Sequence, residues 1–336
     1  MQKSVLLGFS GGIDSCTAAR LLKTEGYRVV AITIDTTSDS TMLQRARSRA
    51  EELDIEWYAY DARELFRREI IDYFCQEYSL GHTPAPCTRC NVLIKWNILL
   101  SEANRLGIDH ISTGHYFNIA THNNRYYVTK GSDPAKDQSY YLWGLTQEVL
   151  SRAITPMGTM IKSEIKEGFS DKSESMGICF LEGKPYAEYL EQHGVAMTPG
   201  NIVTPSGSVC GHHNGIARYT IGQRRGEGIP SGKRIIAIDA TNNTLIAGNI
   251  EQLYKSKLYI TNHNIIDPEE LLSATDITIK IRGIGKNPES PVHVERWHDG
   301  YMITTPNQAY APAKGQPLVF YRNNRVIGGG IVVGFE

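Results

Sequence analysis

The first third of the chain alternates two hydrophobic patterns. Continuous apolar runs predict buried strands at Ser4–Phe9, Arg28–Ile34 and Ile55–Tyr60, and between them Cys16–Thr24 and Thr41–Leu53 carry apolar residues at helical spacing. A third helical pattern, Arg63 to Tyr78, presents Leu65, Ile70, Phe74 and Cys75. A fourth runs from Asn91 to Ala103, ahead of a strand over Ile108–Thr113. This β-α-β-α-β rhythm predicts a parallel sheet with helices on both faces and a ligand at the carboxyl ends of the strands. From about residue 195 the rhythm changes. Pro199-Gly200, Pro205-Ser206-Gly207 and Gly211 punctuate short β-like runs, including a hairpin of Arg234–Asp239 with Thr244–Gly248 across Thr241-Asn242-Asn243. Beyond Ser256 the period is two: Ile277, Ile279 and Ile281 alternate with Thr278, Lys280 and Arg282. Further runs at Val292–Trp297, Tyr301–Thr305, Pro317–Tyr321 and Val326–Val333 predict a small barrel. The expected fold class is α/β. A parallel, doubly wound domain over residues 1–194 precedes a small central β-rich domain over 195–255 and a C-terminal β-barrel over 256–336.

Composition narrows the function classes. The chain has 336 residues and a net charge of −1, so any nucleic-acid surface must come from local clustering. Such a cluster lies within Arg218–Arg234, where Arg218, Arg224, Arg225, Lys233 and Arg234 accompany a single acid, Glu227. A phosphodiester-binding β surface and a solvated face both fit it. No apolar run approaches the roughly 18 residues of a membrane span, and Met1-Gln2-Lys3 leads directly into a strand. The expectation is a cytoplasmic protein without membrane association. Six cysteines without a secretory context suit a reducing compartment, where those that matter are catalytic or metal-binding.

Candidate chemistry begins at Ser10-Gly11-Gly12-Ile13-Asp14-Ser15, where the first strand turns into the first helix. A helix N-terminus offers unpartnered N–H groups and a favourable dipole to an anion. The glycines admit close approach, Ser10 and Ser15 add hydroxyls, and Asp14 can hold a cation against phosphate. No lysine stands in the turn, so neither G-x-x-x-x-G-K-[ST] nor G-x-G-x-x-G fits. The pattern S-G-G-x-D-S resembles the pyrophosphate loop of ATP pyrophosphatases, which split ATP between its α- and β-phosphates. Alone, the turn also suits a synthetase that adenylates another substrate for amidation, a reading that needs no cysteine.

Further along, Gly81-His82-Thr83-Pro84-Ala85-Pro86-Cys87-Thr88-Arg89-Cys90-Asn91 reads as a loop with Cys90 opening the following helix. A helix start and the neighbouring Arg89 would lower that thiol's pKa. Zinc would need ligands absent in tandem, which favours a reactive cysteine. Gly114-His115-Tyr116 ends a strand, where His115 suits a phosphate or base contact or a structural role, and Lys136-Asp137-Gln138 precedes an apolar helix, with Lys136 fitting either an exposed helix start or a charge clamp for phosphate. Ile34, ending the second strand, suits core or an adenine contact. Read alone, Cys179 in Met176–Phe180 is a buried core cysteine, as are Cys16 and Cys75, and Cys210-Gly211-His212-His213 is a turn.

The ordered set resembles the tRNA-specific 2-thiouridylases across nearly the whole chain. The segments carrying the likeness are Gly8–Ser15, Thr83–Lys95, Thr113–Tyr116, Lys136–Tyr140, Gly177–Phe180, Tyr219–Gly226 and Gly315–Tyr321. The resemblance implies an adenine-nucleotide-hydrolase-like first domain and ATP-dependent thiolation of C2 of the wobble uridine. It implies Cys90 as nucleophile and Cys179 as persulfide carrier, the two ending as a disulfide. Gly8, Phe9, Ser10, Gly11, Gly12, Ile13, Asp14, Ser15, Ile34 and Gly114 match its ATP positions. Ala85, Pro86 and Cys87 match the loop beside the target base, and His115, Lys136, Asp137, Gln138, Arg282, Gly283 and Gln316 match tRNA contacts. Implied partners are ATP, Mg²⁺, tRNA and a persulfide sulfur donor protein, a cysteine desulfurase or sulfur-relay carrier. Three features depart from the family. Cys87 stands where many members have an acid, so Cys87, Cys90 and Cys179 form an alternative ligand set for a [4Fe-4S] cluster. Thr36–Thr41 and 165–175 are shorter than usual, and Glu174 replaces an Asp.

Overall fold

Val5, Leu6 and Leu7 have no solvent exposure, because they form the centre of a sheet covered on both faces. In the computed structural model, which describes residues 2–37, 40–165, 177–282, 287–288 and 290–336, they lie on β1 (Ser4–Gly8). Around it stand β2 (Arg28–Asp35), β3 (Glu56–Asp61) and β4 (His110–Thr113). A hairpin of β5 (Phe117–His122) and β6 (Arg125–Lys130) follows, then β7 (Ala153–Ile154). The sheet order is β3-β2-β1-β4-β7, every pairing parallel. That order reverses direction at β1, so a cleft opens between the carboxyl ends of β1 and β4. Helix α1 (Ile13–Thr24) buries Cys16, Ala18, Ala19 and Leu22 against the sheet, and α2 (Ser40–Glu52) adds Ala46 and Ala50. The small residues on these faces let the helices lie close.

The described chain divides into two compact units. The first comprises Met1–Ile70, Cys87–Ser175 and Asn324–Val326; the second comprises Ile71–Pro86, Met176–Asn323 and Ile327–Glu336. In the second unit, β8 (Pro199–Val203), β9 (Val209–Asn214), β10 (Arg234–Asp239) and β11 (Thr244–Gly248) form a sheet in the order β10-β11-β8-β9. The β10–β11 hairpin turns where the Asn-Asn pair predicts, with Asn243 at φ 48°. The remaining strands are β12 (Tyr254–Ile265), β13 (Ile277–Lys280), β14 (His293–Trp297), β15 (Gly300–Tyr310), β16 (Pro317–Arg322) and β17 (Arg325–Phe335). They run in the order β13-β16-β17-β12-β15-β14, and Val292 N–H donates to the Ile277 carbonyl at 2.8 Å. That bond ties the two ends of the strand order together and closes the sheet as the expected barrel.

Several expectations change. Residues 86–106 are helical throughout, so the helix starts at Pro86 and Cys90 sits a full turn inside it. Proline at the first helical position explains the earlier start, since its missing N–H needs no partner there. Cys210-Gly211-His212-His213 is strand β9 rather than a turn, and the His213 ring bridges Gly215 N–H and the Asn243 carbonyl, 3.1 Å from each. The basic stretch is turns rather than β surface between Arg218 and Arg234. There Arg218 bridges Glu191 at 2.7 Å and Lys233 donates to Asn249 at 2.8 Å, while Arg224 and Arg225 are exposed. Strand β12 and the β5–β6 hairpin were not visible in the hydrophobic pattern, because polar residues such as Lys255, Lys257, Asn262 and Asn264 interrupt the former. Residues 166–176 and Gly283 lie outside the described residues.

The loop ahead of Cys90 is anchored by Gly81, whose φ of +72° and lack of a Cβ let it pass Ile238. An added Cβ would lie 2.6 Å from Ile238 Cγ2. Gly81→Ala is expected to cost about 1–3 kcal/mol through overlap and left-handed strain, read as a lower midpoint in urea unfolding of the full chain.

Candidate active site

The turn after β1 is shaped by a single close approach. Gly11 has φ +69°, and a Cβ there would meet the Ala46 backbone of α2 at 2.8 Å. Gly12 caps α1 in extended conformation without a side-chain hydrogen bond, so the first-turn N–H groups have no partner within the helix. Ser15 Oγ donates to the Gly12 carbonyl at 3.0 Å and lies 3.4 Å from Ser10 Oγ. Phe9 continues the strand backbone, its N–H donating to Ile32 and its carbonyl accepting the Thr33 hydroxyl at 2.6 Å. Gly114, at the end of β4, closes the other side: a Cβ there would come within 3.0 Å of Asp14 C and Ser15 N. The structure thus brings Gly114 against Asp14 and Ser15 at the N–H-rich start of α1. Ile34 is one residue short of the carboxyl end of the neighbouring strand β2.

Two cations that the sequence pattern does not single out reach this turn. Arg45 Nη2 lies 3.5 Å from the Ser10 carbonyl. Lys162, only 5% exposed, places its ammonium on Asp14, whose carboxylate also accepts the Tyr116 hydroxyl at 2.6 Å. The one signal in the sequence is a lysine amid Met157, Met160, Ile161 and Ile165, since a buried cation requires a partner.

His115 follows Gly114, its Nδ1 2.7 Å from Thr113 Oγ1. Although the residue is part-buried by area, its ring is densely surrounded. Burial, with the nearby Lys95 charge adding to it, pushes the imidazole down to about 3. At neutral pH it offers a polar contact but no positive charge to a phosphate. In the loop that follows, Asp137 accepts Gly131 N–H and Ser139 N–H, both at 3.1 Å, so its carboxylate shapes the loop. Gln138 accepts Tyr116 N–H at 2.9 Å.

The two thiols differ in setting. Cys90 is buried in the helix of the first unit, beside Asn91, which donates to the Tyr141 carbonyl at 3.1 Å. The Arg89 guanidinium pairs with Glu69, 2.7 Å from the carboxylate and 2.7 Å from the carbonyl. Cys87, one turn earlier, is half-buried, and its charge together with burial raises the Tyr141 hydroxyl pKa, burial dominating. Ala85 and Pro86 precede it in a loop of the second unit pinned by Thr83 N–H to the Lys314 carbonyl at 2.8 Å. Cys179, in the second unit, is exposed rather than buried. A short 3-10 turn over Cys179–Leu181, entered through Gly177 at φ +103°, sends Phe180 and Leu181 inward and the thiol out. Phe180 meets Phe74 edge-on with ring centroids 5.2 Å apart. Burial raises the pKa of Cys16 and Cys75, which suits inert thiols. In the second unit Arg282 donates to Gln316 Oε1 at 3.0 Å and to the Ile221 carbonyl at 3.1 Å, joining three stretches distant in sequence.

Comparison with known proteins places these features in a family. Residues 3–183 match the model of a tRNA methyl transferase HUP domain, 187–249 a tRNA methyl transferase PRC-barrel domain and 255–332 an aminomethyltransferase beta-barrel domain. A tRNA-specific 2-thiouridylase MnmA 2 of Phocaeicola vulgatus is 38% identical, over 98% of this chain and 97% of its own length. The tRNA-specific 2-thiouridylase MnmA of Clostridium acetobutylicum is 35% identical over 99% of this chain and 100% of its own. A tRNA-specific 2-thiouridylase MnmA 3 of Bacteroides fragilis is 37% identical over 98% and 94%.

The buried imidazole has a consequence for stability. Unfolded, His115 takes up a proton near its ordinary 6.5; folded, it resists until about 3. The unfolded state therefore binds more protons in that window, and stability falls as pH drops through it. His115→Gln should flatten the dependence of unfolding free energy on pH between about 6 and 4, measured by denaturant titration at each pH.

Proposed function

Because the chain belongs to the tRNA-specific 2-thiouridylase family, we propose that it thiolates C2 of the wobble uridine of tRNA with ATP, using Cys179 and Cys90 in succession. The full-length match to thiouridylases, with the glycine turn intact, carries this reading. The domain descriptions speak of methyl transfer, but a turn built to receive pyrophosphate has no use in moving a methyl group. A synthetase making an amide would need the turn but neither thiol.

The chemistry follows from what each group can do. The C2 oxygen of uracil is a poor leaving group, so the uridine oxygen attacks the α-phosphate of ATP and pyrophosphate departs. The uncapped start of α1 receives it, with Gly11 and Gly12 allowing backbone approach and Ser10 and Ser15 donating. Gly8, Phe9, Ile13, Ile34 and Gly114 complete the nucleotide surface. Asp14 suits Mg²⁺, since that ion takes one or two carboxylates and otherwise the phosphates of its substrate; when bound it neutralises departing charge. The terminal sulfur of a Cys179 persulfide attacks C2, and AMP leaves with the oxygen. The Cys90 thiolate then attacks the Cys179 sulfur, freeing the thiocarbonyl and forming a Cys90–Cys179 disulfide that a thiol reductant must reopen. Exposure of Cys179 suits loading by a persulfide donor protein, a cysteine desulfurase or relay carrier.

Ala85, Pro86 and Cys87 border the target base, which must leave its stack to react. His115, Lys136, Asp137, Gln138, Arg282, Gly283 and Gln316 face tRNA, Asp137 by holding its loop in shape. A cytoplasmic site of action and a division into 1–194, 195–255 and 256–336 complete the proposal. A [4Fe-4S] cluster on Cys87, Cys90 and Cys179 is the alternative sulfur carrier. Among the described residues no three His, Cys, Asp or Glu side chains form a ligand group.

Cys90→Ser and Cys179→Ser should each abolish 2-thiouridine formation, by nucleoside mass spectrometry of reacted tRNA, while tRNA-dependent pyrophosphate release persists. Full thiolation by either variant would overturn the role of that thiol, and ATP turnover by both variants at the unaltered rate with no 2-thiouridine from the unaltered protein would return the reading to the amide-forming class. Anaerobically purified enzyme should be active without stoichiometric iron, and an iron content that Cys87→Ser removes together with activity would establish the cluster instead.

A further inference from the structure

The carboxylate in the turn after β1 is engaged by two of the chain's own donors. Asp14 Oδ1 accepts both the Tyr116 hydroxyl, at 2.6 Å, and the buried Lys162 ammonium. The same loop holds each of these donors from behind. Gln138 grips the Tyr116 backbone twice, accepting its N–H through Oε1 at 2.9 Å and donating its own N–H to the Tyr116 carbonyl at 3.0 Å. Asp133 accepts the Lys162 N–H at 3.0 Å through one carboxylate oxygen and the Ala135 N–H at 2.9 Å through the other. Its carbonyl accepts Lys136 N–H at 3.1 Å. Asp133 and Gln138 thus bracket Lys136 and Asp137. Asp137 stiffens the bracket through Gly131, Ser139 N–H and the Ser139 hydroxyl, the last at 2.9 Å.

We propose that Tyr116 and Lys162 are positioning residues for Asp14, and that loop 133–138 makes their grip on it respond to bound RNA. The inference rests on the tRNA-facing role proposed above for Lys136 and Gln138. An oxygen receiving two charge-assisted hydrogen bonds is poorly available to a cation carried by a triphosphate. RNA groups that engage Gln138 compete for the amide that clamps Tyr116, and the hydroxyl then releases Asp14. Lys162, tied through its backbone to Asp133, remains beside the turn, where its ammonium meets incoming phosphate charge. The arrangement supplies the cation that the turn's own sequence lacks, and it ties ATP binding to the presence of the RNA to be modified. An enzyme that adenylates a base gains by this, since ATP is not engaged before its acceptor.

Coupling of this kind is reciprocal, so each ligand tightens the other by one factor. The test is calorimetric titration of the full chain, with magnesium, using a non-hydrolysable ATP analogue, with and without an unmodified tRNA transcript. For the unaltered protein, tRNA should tighten analogue binding about tenfold, and the analogue should tighten tRNA binding equally. Tyr116→Phe removes one hydroxyl and leaves the ring in place. It should bind the analogue more tightly without RNA and reduce the coupling factor to about twofold or less. Lys162→Arg keeps a cation on the turn and should retain coupling, whereas Lys162→Met, which removes it, should lose coupling. An unaltered protein with a coupling factor of one, or full coupling in Tyr116→Phe, overturns the inference. Failure of the unaltered protein to bind the analogue at all overturns the reading of the turn as an ATP site, and the inference with it.

Discussion

The first unit depends on how closely α2 lies against the turn after β1. With 2.8 Å between an imagined Gly11 Cβ and the Ala46 backbone, nothing larger than glycine fits, and the turn is pressed into one conformation. That contact holds open the start of α1, where Gly12 supplies no side-chain cap. A protein that capped this helix in the ordinary way would gain stability and lose its anion site. The uncapped helix start leaves its N–H groups available to an anion, and Gly114 and the strand order bring the opposite wall within reach.

Electrostatics around the turn follow from that geometry. A carboxylate in the turn would repel the phosphate proposed to bind there, yet Asp14 stands in it. Its charge is offset by Lys162, which is buried and therefore obliged to find an anion. The neighbouring His115, which a strand-end position suggests as a phosphate contact, stays neutral because burial disfavours its charged form. Cation and neutral ring have exchanged the roles that chain position alone suggests.

Local backbone decides how each thiol is presented. Arg89 faces Glu69, and Pro86 moves the helix start a turn ahead of Cys90. Cys179 is exposed because the residues after it carry the aromatic packing: Phe180 lies 5.2 Å from both Phe74 and Tyr189. A cysteine in an apolar string reads as core by composition, but a 3-10 turn of a few residues cannot bury every side chain.

By itself the amino-acid sequence determined the strand–turn–helix order, the parallel sheet, the β10–β11 hairpin and the barrel strands after β12. These follow from hydrophobic period and from glycine and asparagine at turns, which are local properties. The glycine turn after β1 was equally legible, since all its polar and glycine residues are contiguous. Tertiary structure alone decided which distant residues meet it. The pairing of Lys162 with Asp14, 148 residues apart, leaves no periodic trace, and neither does the capture of Tyr116 by Gln138. Exposure of Cys179, neutrality of His115 and engagement of Arg89 likewise depend on what packs around each group, and burial is a property of the assembled fold.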